Sequence, residues 1–584
     1  IALLALVTYK FILPSLTGKS DATQALAPET YVDEPSFAPD EVDPLPPGQK
    51  EPVAPAEGEL CTIKGNRFDA TLSTRGAAVT HFYLRDPQYA GTEGLDLVTT
   101  SQERWRSLRT LFRGEKAHDQ VKFDRFNWKL DSADGASCHF SYADDTVRIE
   151  KVVSKNERPF ELAVTTTVTN LSEATHSHQL SIEAFAYRKN KDPEDDRNSL
   201  FGFRFGRVSP LTTELSCART DDITRKPKTD FKAGWFSMLA VDRYVALSNS
   251  YFAQAIIPVV GPKGDKPNCD ILAEDWYTYG QKREDDNAGA IYHGRLQYPA
   301  VDLKPKEAAT YKDIAFFGPK ERDVLAHAGG PTTHLGDLIN LGFFSPVAKV
   351  LVGILVLFHA HVTFGNWGLA IIAMTLSLRL LLLPLSIKPV KTSIAMRKLK
   401  PEIDELGRRF KDDAQAKNMA TMELYRKHGV NPLGGCLPQL VQMPIWFAMY
   451  TTLQTAVEMY HEKFLWFTDL SAPDRLFILP LVLGAFMILQ QKIVPQQGMD
   501  PMQAKMMMYM LPLVFTVMML FLPAALGVYM LTNSVLGIAQ QLVIERIAPR
   551  GGSTPRGEIT VKSLNNDDGG GPLSGTFGKG KARV

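Results

Sequence analysis

Polar and apolar positions divide this chain into two unlike halves. Residues from about 57 to 325 are polar and charged, whereas almost every long apolar run lies beyond 340. In the first half, short alternating runs stand between turn signals, as in FDATLSTRG (68–76), FELAVTTTVTN (160–170) and YKDIAFFGP (311–319). Thr/Val alternation punctuated by Gly, Asn and Pro predicts a large antiparallel β-sandwich over 59–325. Residues 20–58 are Pro-rich and acidic with few large apolar side chains, which predicts a solvated linker. In the second half, apolar runs at 366–387, 436–457, 476–490, 506–522 and 524–544 predict five membrane spans. The opening IALLALVTYKFILPSL lacks a small-x-small cleavage site after its apolar core, so 1–19 reads as a further span, uncleaved and cut short.

The run 343–360 carries Lys349 and ends at His359 and His361, so its own composition leaves it ambiguous. Loop charge decides. The 388–431 loop holds eleven basic residues against six acidic ones, while 458–475 has Glu458, Glu462, Asp469 and Asp474 against Lys463 and Arg475. The positive-inside rule then puts 388–431 in the cytoplasm and 458–475 outside. With a first span at the N-terminus, the β domain is outside only if 343–360 does not cross. Residues 336–362 are therefore read as an amphipathic helix on the outer membrane surface; a seventh span would put the β domain in the cytoplasm. Leu399, Ile403, Leu406 and Phe410, then Met419, Met422 and Tyr425, predict a helical hairpin over 388–430. The last residues, 548–584, are Gly-rich, flexible and modestly basic.

The 584 residues carry 65 Lys+Arg and 64 Asp+Glu, a net charge of +1 that excludes a globally basic nucleic-acid binder. Of five cysteines, Cys61, Cys138, Cys217 and Cys269 fall in the β domain and Cys436 opens an apolar run. No spacing suggests a metal site, and no cofactor is implied. Four cysteines in an exported domain permit disulfides in three pairings.

Candidate chemistry lies inside the spans. Arg379 interrupts TLSLRLLLLPL and shares its helix face with Thr375. In CLPQLVQMPIWFAMYTTLQ, Gln439, Gln442, Trp446 and Tyr450 form one stripe; in AALGVYMLTNSVLGIAQQ, Tyr529, Thr532, Asn533 and Gln540 form another. Polar groups on three helices have no partner in lipid, which predicts that they face one another across enclosed water. Two plainer readings stand beside this: Arg379 snorkels to the inner headgroups, and the Gln and Thr side chains are interhelical hydrogen bonds. Met506, Met507, Met508, Met510, Met518 and Met519 read as lipid-facing filler or as an adaptable surface for partner helices.

These residues resemble a known family, the YidC-type membrane protein insertases, relatives of the mitochondrial Oxa and chloroplast Albino insertases. The resemblance is dense over 362–547, in FGNWGLAI, KPEIDELGRRF, NPLGGCLPQLVQMPIW, TDLSAPD, DPMQAKMM and TNSVLGIAQQ. GWFSMLAVDRYVALSNSYFAQAIIP (234–258) is similar to part of the periplasmic β-sandwich of Gram-negative members. It implies a multi-domain fold: a polytopic α-helical bundle, with a five-span core at 363–547 plus an N-terminal span, carrying the periplasmic sandwich. It implies a hydrophilic groove open to cytoplasm and lipid and closed outside. Arg379 would be its charge, Thr375 and Tyr529 groove residues, and Met443 and Trp446 positions on the client path. Val528-Tyr529 stands where many relatives have two tyrosines, and Phe521 where some have Trp.

The implied function is insertion and folding of membrane proteins without nucleotide hydrolysis, not enzyme catalysis and with no small-molecule substrate. Implied partners are nascent membrane proteins, the lipid bilayer, the Sec translocon, and the ribosome through the hairpin and basic tail. The implied location is a bacterial inner membrane, multi-pass, with both termini cytoplasmic. The rival readings are a transporter or anion channel built on an intramembrane Arg, and a sugar-epimerase-like enzyme in the β domain using His176 and His178.

Overall fold

The computed structural model describes residues 58–90, 94–100, 105–113, 128–189, 214–226, 236–276, 289–385, 387, 395, 398–410, 414–429, 437–493 and 505–547. The readings for 1–19, nearly all of 20–58, and 548–584 lie outside them, as does much of the 388–397 stretch.

Alternation builds the β domain. In Glu161–Asn170, Leu162, Val164, Thr166 and Val168 are buried while the side chains between them are half-exposed. A nine-stranded antiparallel sheet runs through Asp222–Lys226, Glu214–Arg219, Tyr244–Ser248, Phe252–Val260, Ala308–Pro319, Glu161–Asn170, Val147–Lys155, Ser137–Ala143 and Lys129–Ala133. A second sheet orders Phe236–Met238, Asn268–Trp276, Gly289–Gln297, His176–Lys189 and Val301–Leu303, with Thr110–Arg113 also on His176–Lys189. Leu180, Ile182 and Leu296 of the second sheet share one apolar core with Val245, Leu247 and Ile256 of the first. A four-stranded sheet, Leu60–Lys64, Phe68–Ser73, Ala78–Leu84 and Leu95–Asp96, completes the layers.

Of the three cysteine pairings, the fold takes one. Cys217 bonds Cys269 and ties the nine-stranded sheet to the six-stranded one. Cys61 bonds Cys138 and ties the four-stranded sheet to the nine-stranded one. The same core holds polar groups that alternation alone would not put there. Lys151 lies on the buried face of its strand, where its Nζ donates to the Ala77 carbonyl at 2.9 Å and to Thr110 Oγ1 at 3.0 Å. Burial lowers its pKa to about 7. Burial likewise raises Asp313 to about 7, although the Tyr298 hydroxyl donates to its Oδ1 at 2.7 Å.

Helix α1 (Pro87–Ala90) and helix α2 (Arg322–His327) belong to the β domain. The bundle begins with α3 (Ser345–His361), which starts with Pro346 in its first turn, and α4 (Trp367–Leu381), capped by Asn366 accepting from Leu369 N at 2.9 Å. Then come α5 (Lys400–Arg409), α6 (Ala414–Lys427), α7 (Leu437–Gln454), α8 (Ile478–Ile493), α9 (Leu511–Met519) and α10 (Ala524–Ile547). Helix α10 packs on α4, α7 and α8, and α3 lies on α4 and α7, sharing their core through Ala348, Leu351 and Leu355. Helices α8 and α9 meet at Gly484, where a Cβ would fall 2.3 Å from Thr516 Oγ1.

By length and composition, only Ala524–Ile544 is long and apolar enough to cross a membrane among the described residues; Ser345–His361, Trp367–Leu381, Ile478–Ile493 and Met506–Met519 are apolar but shorter. Two expected faces differ. Met519 is buried in the bundle core rather than lipid-facing, because α9 turns it toward Gly527 of α10. In the α5–α6 hairpin, Met419 and Met422 are exposed, whereas Leu399, Leu424 and Tyr425 are buried; two short helices enclose too little volume to bury a whole face.

The segment joining α7 to α8 stitches the two units together. Ala456 and Met459 enter the bundle core, while Val457 and Tyr460 enter the β-domain core. The Tyr460 ring lies 5.4 Å from Tyr251 and 5.5 Å from Phe252. Arg322 of α2 pairs with Glu458 at 2.6 Å, and Gln88 of α1 donates to the Glu458 carbonyl at 3.0 Å. The two acids of TDLSAPD brace this loop. Asp469 Oδ1 accepts from His461 N and Ser471 N, and Asp474 Oδ2 accepts from Leu479 N at the start of α8. Loop carbonyls of Ala472 and Leu470 also take the free N–H groups of Ala524 and Ala525 at the start of α10.

Candidate functional site

The joint fixes one end of α7, α8 and α10, and the polar stripes meet further along these helices. Arg379 lies in the last turn of α4, half-buried, with its guanidinium on α10. Its Nε donates to Asn533 Oδ1 at 2.8 Å and its Nη2 donates to the Asn533 backbone carbonyl at 2.9 Å. Gln442 of α7 donates from Nε2 to the same Oδ1 at 3.3 Å. Three helices therefore converge on one amide oxygen. Among the described residues no carboxylate pairs with Arg379.

The other expected residues sit around this point. Thr375, one turn earlier on α4, is buried, and its hydroxyl donates to the Ile371 carbonyl of its own helix at 2.6 Å. That bond satisfies the hydroxyl within the helix, so Thr375 supplies shape more than a free donor. Tyr529, one turn before Asn533, is buried in the bundle core. Thr532 and Met443 are half-buried beside Asn533 and Gln442 in sequence. Trp446 packs partly on the core, its ring 6.0 Å from Tyr450 and 4.9 Å from Phe447. The Gln439 side chain lies outside the described residues. Hydrogen bonds thus join Arg379, Gln442 and Asn533, and sequence neighbourhood alone groups the rest.

Two further residues reach the site. A Cβ on Gly537 would lie 3.2 Å from Arg379 Nη2 and 3.5 Å from Gln490 Nε2. Gly537 makes room for the guanidinium, and Gln490 brings α8 to it. The available signal was a glycine four residues after Asn533, on the same helix face. In the β domain, His178 is buried against the Tyr311 hydroxyl at 2.9 Å, and burial lowers its pKa to about 4. That is a packed core histidine.

Fold and site together define a helical bundle built for a membrane, with an arginine among its helices that no carboxylate pairs among the described residues, and a β-sandwich docked on one end. Residues 60–354 match the family described as YidC periplasmic domain, and 358–550 match the 60Kd inner membrane protein family. The chain belongs to the YidC family of membrane protein insertases. A Geobacter sp. (strain M21) protein named membrane protein insertase YidC is 31% identical over 501 residues, 83% of this chain and 85% of that one. A crystal structure titled as an active YidC insertase with the first transmembrane domain resolved is 17% identical, covers 83% of this chain and 94% of its own, and has a TM-score of 0.34. An Escherichia coli K12 putative aldose 1-epimerase covers 45% of this chain and 99% of its own at 11% identity, with a TM-score of 0.30. The relatives carry the name of an insertase, not of an enzyme, and the transporter reading gains no support from them. Family members are inner-membrane proteins with a periplasmic domain.

Proposed function

We propose that this chain inserts integral membrane proteins and helps them fold, drawing a polar client tail into a groove around Arg379 while the client's apolar helix slides into lipid. One observation carries the reading: a guanidinium among membrane helices is held by neutral oxygens and has no paired carboxylate among the described residues. An unpaired intramembrane cation is expensive and marks a functional path. Hydrophobic burial of the client supplies the drive, at roughly 25 cal/mol per Å² of apolar surface. The 16 residues of α8 reach only about 24 Å along a helix, against a hydrocarbon core of about 30 Å. Short helices thin the bilayer around the groove and lower the barrier to a polar tail.

In this arrangement α4, α7, α8, α9 with the preceding π-turn Met506–Met510, and α10 cross the inner membrane. Helix α3 lies on its outer surface, the β domain stands in the periplasm, and the termini and the α5–α6 hairpin are cytoplasmic. Gln442, Met443, Trp446, Thr532 and Asn533 line the groove with Arg379, and the buried Thr375 and Tyr529 back it. The hairpin and basic tail receive clients from the ribosome, alone or beside the Sec translocon.

The test uses purified chain in nucleotide-free proteoliposomes and matched clients with acidic or neutral translocated tails. Arg379→Lys is expected to retain much of the activity, and Arg379→Ala to lose it for the acidic client more than for the neutral one. At an effective dielectric of about 20, opposite charges 4 Å apart attract by roughly 4 kcal/mol before desolvation. Equal defects for both clients overturn the charge attraction, and absence of insertion by the unaltered chain overturns the function.

A further inference from the structure

We infer that Asn533 is a positioning residue for client selection: it anchors the Arg379 guanidinium through two neutral oxygens and so keeps the positive charge of the groove uncancelled. The inference rests on the insertase reading above. An arginine buried between helices is held most firmly by a carboxylate, through charge-assisted paired bonds. Such a partner would also cancel the field that a client tail meets. Asn533 gives the geometric part of that hold without the charge. Its side-chain oxygen takes Nε at 2.8 Å and its backbone oxygen takes Nη2 at 2.9 Å, so one edge of the guanidinium is fixed to α10.

The amide itself is oriented from a second helix. Gln442 Nε2 donates to the same Oδ1 at 3.3 Å, and an oxygen accepting from two directions does not rotate freely. Gly537, one helical turn further, keeps the space beside Nη2 clear, since a Cβ there would come within 3.2 Å. A guanidinium has five N–H donors, and these two bonds use two of them. Nη1 bonds nothing among the described residues, and the edge it forms with Nη2 is the one offered to a client carboxylate. Asn533 therefore fixes which way Arg379 faces without offsetting its charge.

The experiment replaces the amide by a carboxylate of the same shape. Asn533→Asp, Arg379→Ala and the unaltered chain are reconstituted at equal amounts of folded protein. Each is given a single-span client whose translocated tail carries either aspartates or asparagines at the same positions. The readout is the ratio of acidic-tail to neutral-tail insertion, which a general loss of stability does not move. Asn533→Asp is expected to lower this ratio about tenfold, equivalent to ~1.4 kcal/mol, toward the value for Arg379→Ala. If Arg379→Ala lowers the ratio and Asn533→Asp leaves it unchanged, the role of Asn533 is overturned while the insertase reading stands. A fall of both clients by one factor in Asn533→Asp marks a structural residue and also overturns the inference. If Arg379→Ala itself leaves the ratio unchanged, charge attraction fails and the inference falls with it. Should Asn533→Asp yield no folded protein, Asn533→Ala removes the side-chain oxygen that takes Arg379 Nε and leaves Arg379 itself in place. A lowered ratio there supports the inference, and an unchanged one overturns it.

Discussion

Replacing Cys217 and Cys269 together by alanine removes the bond between the two large sheets while leaving every strand pairing intact. The bond closes a loop of sequence separation 52. Loop entropy gives about 4.1 kcal/mol at 25 °C for a loop of that length. The same relation gives about 4.5 kcal/mol for Cys61–Cys138, with its separation of 77. Both figures are upper values, because denatured chains retain structure that already restricts the loop, and a loss of 2–4 kcal/mol is the usual range. The two loops share no residues, so the two losses should add. Urea unfolding of the chain in nanodiscs, followed by the fluorescence of the buried Trp128, measures each double variant against the parent. Reaction of the unreduced, denatured parent with a thiol reagent is expected to find one thiol, Cys436, and five after reduction. Five reactive thiols before reduction would refute both bonds. A loss below about 1 kcal/mol with the bonds present would refute the loop-entropy argument.

The joint between the two units predicts coupling: Arg322→Ala and Glu458→Ala should each lower the thermal stability of the chain in nanodiscs, and the double variant should cost less than their sum. A coupling of about 0.5–3 kcal/mol is expected for residues in contact, and strict additivity would remove the contact from the solution structure. Asp313 predicts a pH effect, because burial raises its folded pKa from 3.8 to about 7. Between those values the native state holds a proton that the unfolded chain has lost, so this group's stabilisation falls as pH rises through the window, by up to about 1.4 kcal/mol per pH unit. Asp313→Asn should make the stability profile between pH 4 and 7 less steeply falling, and parallel profiles would rule out a buried neutral carboxyl. For topology, cysteines introduced at 412 and 465 should label from opposite faces of the membrane, 412 from the cytoplasm. Labelling of both from outside would overturn the arrangement.

What the sequence by itself determined is everything carried by local periodicity. Two-residue alternation in FELAVTTTVTN makes a half-buried strand wherever a sheet exists to receive it, and that strand is Glu161–Asn170. Arg379 with Thr375, and Tyr529 with Asn533, share helix faces because 3.6 residues make a turn. That such stripes must turn inward follows from the cost of a polar group in lipid. Tertiary structure decided which groups meet across long separations. Arg379 and Asn533 are 154 residues apart, and Arg322 and Glu458 are 136 apart. No periodicity links such pairs, so the partner of the guanidinium, the choice among three cysteine pairings and the division of residues 456–460 between two cores appear only once the layers are packed. The same holds where a local reading gave way. Met519 and His178 are buried because a neighbouring element covers them, and Met419 stays exposed because none among the described residues does. Burial is a property of the surroundings, which a single chain segment does not contain.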